Sequence, residues 1–122
     1  MNGDLWRVKF VHPYNPKLVD RTQNYRVATT DPSTRCIYLS KDLNGDFLNR
    51  VLIHELGHAT MVSYDLLQII HQMVYPEYWM EMEEWICNFI ADYGLQIFRH
   101  AYEILGERAW VYVPQELERL VA

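Results

Sequence analysis

The chain predicts an α+β fold, with strands in the first third and helices after them. Three observations carry that reading. The segments Leu5–Val11, Tyr25–Thr30 and Arg35–Ser40 are alternating or rich in β-branched and aromatic residues. Asn44-Gly45-Asp46 then breaks the pattern and offers a helix N-cap. Beyond it the apolar spacing turns helical, with steps of three and four. At 122 residues the length suits one domain, residues 1–122, with a single core.

Leu5–Val11 places Trp6, Val8 and Phe10 on one side and charged residues on the other, as a strand does. The following stretch to Asn24 holds two prolines and two asparagines and reads as loop. Asp31-Pro32-Ser33-Thr34 suits a type I turn, so Tyr25–Thr30 and Arg35–Ser40 form a hairpin. The expected sheet is therefore small and antiparallel, the N-terminal strand plus this hairpin. It packs on a helix from about Asp46 to Ser63 and on two or three further helices. A second run covers Tyr64–Tyr75 and ends before Pro76. A third starts near Glu77 and continues through Gly94 to about Leu105, with Gly106 as its cap. The tail offers a short apolar segment, then Pro114 opening a last short helix.

Bulk properties exclude several classes. The net charge is −5 and no Lys/Arg cluster occurs, which argues against direct nucleic-acid binding. No apolar run approaches the ~18 residues of a membrane span. The N-terminus, broken by Arg7 and Lys9, does not read as a signal peptide, so the expected compartment is the cytoplasm. Cys36 and Cys87 are far apart and are expected as free thiols, with a ligand role for Cys87 the lesser reading.

The stretch "VLIHELGHAT", Val51–Thr60, sets three polar side chains in a helix that is apolar nearly all round. Unpaired ionised groups in an apolar interior are very unfavourable, so something should neutralise them. His54 and His58 are four apart and project from one side of the helix, one turn from each other. Two neutral imidazoles can then meet one Zn²⁺. Glu55 lies about 100° round the helix, outside the ligand set but within reach of a metal-activated water. This is H-E-x-x-H, in which the glutamate serves as general base of a zinc hydrolase. Five positions with three fixed types arise by chance roughly once in a few tens of thousands. Two core histidines bonded to backbone carbonyls are the bland alternative.

A catalytic zinc usually keeps three protein ligands and one open place. The longer pattern with Gly and His three and six residues after the second histidine is absent, because Met61 and Tyr64 stand there. The third ligand must come from elsewhere, and "MEMEEWICNFIAD" on the third helix is the candidate segment. Glu84 is the expected ligand, with Asn88 one turn later as a polar partner able to orient the site. Glu81 and Asp92 are the alternatives. Glu77, Glu81 and Glu83 are explained as charges near the positive end of the helix dipole. Tyr64, His71, Tyr93 and His100 are candidate donors to a developing oxyanion. The strand Arg35–Ser40 either pairs as an edge with an extended peptide or pairs with the N-terminal strand.

"VLIHELGHA" followed by "EEWICNFIAD" resembles the ImmA/IrrE-type metallopeptidases of bacteria and mobile elements, over about residues 24–96. In that group a later glutamate is followed by Asn or Asp at the fourth position and by Ala three further on. Those places fall on Glu84, Asn88 and Ala91. The resemblance implies a zincin-like domain with one zinc held by His54, His58 and Glu84, and Glu55 as base. It also implies peptide-bond hydrolysis in a protein substrate such as a transcriptional repressor. Mn²⁺ or Co²⁺ would suit the same donors. Two other classes stay open: a binding module whose metal is structural, and a toxin component or regulator derived from such an enzyme.

Overall fold

The computed structural model describes residues 1–110. Three strands, β1 (Arg7–Val11), β2 (Ala28–Asp31) and β3 (Cys36–Ser40), form one sheet in the order β1-β3-β2. Four α-helices follow: α1 (Gly45–Ser63), α2 (Leu67–Met73), α3 (Trp79–Phe89) and α4 (Leu95–Leu105). The fold class is α+β, as the sequence predicts. The tail segment and the helix after Pro114 lie outside the described residues.

The sheet is mixed, which corrects the antiparallel expectation. β2 and β3 are an antiparallel hairpin, but β1 runs parallel to β3, with Arg7 opposite Cys36 and Val11 opposite Ser40. A parallel neighbour needs a crossover, and residues 12–27 supply it. That crossover carries Leu18 across one face of the sheet, where it packs with Cys36 and Tyr38. α1 covers the other face through Val51, Leu52, Leu56 and Ala59 against Ala28, Ile37 and Leu39. Every residue of β3 is consequently buried, as befits a strand covered on both faces. Each fully buried Ile or Leu here contributes about 1.5–3 kcal/mol of transfer free energy.

β3 is thus the central strand, and the pairing with the N-terminal strand is the one observed. The free edge next to α1 belongs to β2. The hairpin closes with Asp31 Oδ1 accepting from Ser33 N at 2.9 Å, and with Arg35 at φ 54°.

α1 begins after Asn44, whose side chain makes no capping bond to the helix. Its far end is tied to the N-terminus: Trp6 Nε1 donates to Ser63 Oγ at 2.7 Å, and Ser63 Oγ donates to Asp4 at 2.8 Å. α2 and α3 pack on the last turns of α1 through Met61, Ile70, Cys87, Leu67, Met82 and Ile86. Gly57 lets α3 come close. A Cβ there would lie 3.1 Å from Cys87 Sγ and 3.6 Å from Cys87 Cα. Both cysteines are buried free thiols.

The single helix expected from Glu77 to Leu105 is divided. Residues Pro76–Tyr78 form a 3₁₀ turn, and Ile90–Gly94 form a π-helical turn between α3 and α4. A periodicity reading does not register the extra residue of a π turn. Two compact units result, Met1–Asp92 and a second from Tyr93 onward. In the second, Phe98 and Tyr102 set their rings against Trp110, and Gly106 caps α4 at φ 62°. No helix among the described residues is long and apolar enough to cross a membrane.

Candidate metal centre

The face of α1 turned to α3 carries Arg50, His54, Gly57 and His58, and α3 answers with Glu83, Glu84, Cys87 and Asn88. His54, His58 and Glu84 each offer one donor atom, all within 4.8 Å of one another. His54 Nε2 is 3.1 Å from Glu84 Oε2, His58 Nε2 is 3.1 Å from Glu84 Oε1, and the two Nε2 atoms are 3.1 Å apart. Two donors ~2.0–2.1 Å from one tetrahedral ion would lie ~3.3 Å apart; the two imidazole nitrogens are near that spacing, and the Glu84 carboxylate spans them with one oxygen toward each.

The charge pattern points the same way. Two imidazole lone pairs and a carboxylate facing one another repel unless positive charge lies between them. A proton relieves one of these contacts, whereas a divalent cation among the donors would relieve all of them. Both rings are nearly enclosed, at 14% and 11% side-chain exposure, while Glu84 at 46% opens to solvent. Burial works against a charged His58, but bonds to Cys87, Glu83 and Glu84 outweigh it and push its pKa up to about 12. Hydrogen bonds from His54 and then His58 hold Glu84 well below the usual carboxylate range. Both shifts follow from imidazoles and carboxylates held within hydrogen-bond reach of one another. His54 Nδ1 is buried and has no hydrogen-bond partner among the described residues.

His58 is held from behind. Its Nδ1 lies 2.7 Å from Glu83 Oε1, a carboxylate only 15% exposed. A carboxylate on the rear nitrogen fixes the ring's orientation and turns Nε2 toward His54 and Glu84. The sequence reading assigned Glu83 to the helix dipole, and the structure corrects this. The missed signal is the Glu83-Glu84 pair itself. Neighbours 100° apart on a helix that touches α1 at Gly57 can both reach the same histidine.

Glu55 is buried at 7% exposure and lines the same cleft as the triad. Its carboxylate accepts a hydrogen bond from Thr30 Oγ1 on β2. Asn88 also lines the cleft, but its Oδ1 accepts from Arg50 Nη2 at 3.4 Å rather than bonding a member of the triad. The Asn88 amide oxygen is thus met by Arg50 on α1. Asp92 is engaged by Arg50 Nε at 2.6 Å, and Glu81 borders a separate hollow with Tyr78 and Trp85. Neither belongs to the triad.

Of the four expected oxyanion donors, Tyr64 and His71 are not in the cleft wall, and His71 stacks on Trp79 with centroids 3.9 Å apart. Tyr93 and His100 belong to the second unit. The cationic side chains that do line the cleft are Lys17, Arg21, Arg26 and Arg50.

The cleft has a volume of about 780 Å³, bordered by β2, α1 and α3. Ala28, Thr29, Thr30 and Asp31 of the β2 edge form one wall, and His54, Glu55, His58 and Glu84 stand in it. Comparison with protein-family models, with curated proteins and with solved structures finds no match.

Proposed function

We propose that this chain is a zinc-dependent metallopeptidase of the zincin-like, ImmA/IrrE type, acting on an extended segment of a protein substrate. The observation that supports it most is the cluster of His54, His58 and Glu84, with contacts of 3.1 Å, in the cleft that the buried Glu55 also lines. Three donors among the described residues would leave a place for solvent or substrate, as catalytic zinc sites do. Zinc held there would supply Lewis acidity, polarising a carbonyl and making water acidic near neutral pH.

The chain's own groups then have definite tasks. Glu55 takes the proton from the attacking water and returns it to the departing amine. Glu83 keeps His58 oriented. The free edge of β2 pairs with an extended peptide through its main chain, the part given at first to β3. A regulatory protein such as a repressor is the substrate class that the family resemblance favours, and the cytoplasm its setting.

The test is Glu55→Gln beside His54→Ala, each assayed for zinc content and for cleavage of a peptide library. Glu55→Gln is expected to keep one zinc per chain and lose about 10²–10⁴-fold in cleavage rate, while His54→Ala loses both. Glu55→Gln with unchanged function would instead mark the metal as structural and the chain as a binding module. A zinc-loaded chain that cleaves nothing would point to a non-catalytic regulator or toxin component.

A further inference from the structure

Glu55 is not alone in the cleft wall. Its Oε2 accepts a hydrogen bond from Thr30 Oγ1, and that hydroxyl also lies 3.3 Å from the Glu55 backbone carbonyl. A threonine hydroxyl has one proton to give, and the charged carboxylate is the stronger acceptor. The contact arises from strand alternation. Ala28 and Thr30 turn toward α1, while Thr29 turns to the opposite face and bonds the Lys17 carbonyl at 2.6 Å. Thr30 is therefore two things at once: a residue of the free sheet edge, and the partner of a carboxylate that lines the same cleft as the triad.

A carboxylate on a two-carbon stem has several rotamers, and general-base work needs one of them. The bond to Oε2 selects that rotamer and leaves Oε1 with room for a proton. We propose that Thr30 is a positioning residue that locks the Glu55 carboxylate to strand β2, so that a peptide docked on this edge meets a base already set in place. This rests on the metallopeptidase reading and adds to it a specific link between the substrate-binding edge and the base.

The test uses Thr30→Val, which keeps the branched shape without the hydroxyl, and Thr30→Ser, which keeps the hydroxyl. All forms should retain one zinc by elemental analysis. Thr30→Val should lose at least ~10-fold in kcat with KM changed less than about two-fold, because orientation and not binding is removed. Thr30→Ser should stay within about three-fold of the parent. A second measurement needs neither metal nor activity. In the metal-free chain Thr30→Val should lower the unfolding midpoint, and in a Glu55→Ala background it should not. Thr30→Val with parental kcat, loss of zinc in Thr30→Val, or equal midpoint shifts in the two backgrounds would each overturn the proposal. A zinc-loaded parent that cleaves nothing overturns the metallopeptidase reading, while the unfolding comparison decides the Thr30–Glu55 coupling separately.

Discussion

Helix α1 has two working faces, and they are held by different physics. Toward the sheet it presents Leu48, Val51, Leu52, Leu56 and Ala59 to Ala28, Ile37 and Leu39. Toward α3 it presents Arg50, His54 and His58 to Asp92, Glu84 and Glu83. The first face gains from removing hydrocarbon from water, a contribution that no proton or ion alters. The second buries polar groups whose mutual attraction must offset their lost hydration. One face supplies stability that does not depend on pH, and the other ties stability to the protonation of its histidines and carboxylates.

The largest effect expected on this contrast comes from the apolar face. Leu39→Ala should cost about 2–5 kcal/mol in denaturant unfolding, by the same amount at pH 6 and pH 8. A cost that varied with pH between those values would merge the two faces. On the polar face, Glu83→Gln should weaken zinc about 10–100-fold by competition with a chelator. Parental zinc affinity in that variant would demote Glu83 to the solvated helix charge that the sequence suggested.

The pH response has a definite sign. His58 binds its proton more tightly folded than unfolded, so its contribution is full below its ordinary value of 6.5 and is lost as pH rises toward about 12. Glu84 is shifted down, so its contribution is full above its ordinary 4.5 and is lost as pH falls. The metal-free polar face is accordingly tightest between those two values. Zinc competes with the His58 proton, so the rise in melting temperature on adding zinc should be greater at pH 8 than at pH 6. Equal rises would remove His58 from the ligand set.

The smallest effect tests the contact between the helices. Gly57→Ala gains about 1 kcal/mol of helix propensity but drives a methyl to 3.1 Å from the fully buried Cys87 Sγ. Overpacking of about 1–3 kcal/mol should win and leave a net loss near 1 kcal/mol, with weaker zinc binding as α3 is displaced. Adding Cys87→Ala should restore both. A stabilised Gly57→Ala with parental zinc affinity would show that α3 yields freely at this point.

How far the sequence was legible follows from the range of each interaction. The histidine pair and its glutamate are local, set by one helical period, and so were readable from Val51–Thr60 alone. The convergence with Glu84 was readable because spacing on the third helix limited the choice. Glu83 was not, because an acidic first turn has a sufficient explanation in the helix dipole. Thr30 was not, because nothing in Tyr25–Thr30 tells which residue of a strand meets which residue of a helix. The parallel pairing of β1 escaped for a related reason. An alternating strand looks the same in either direction, and only the crossover through Leu18 decides it. Asp92 lies outside the cluster of His54, His58 and Glu84, and its partner Arg50, 42 residues away in sequence, could not be read from helical spacing.

Glu83 and Glu84 hold the two nitrogens of one imidazole from consecutive positions on a single helix. The His58 ring is thus gripped on both sides by side chains that share one axis, and it reads the rotational setting of α3. A turn of α3 about that axis releases both grips together. His54 and His58 stay paired on α1 in either case, so the seating of α3 decides whether the third donor joins them.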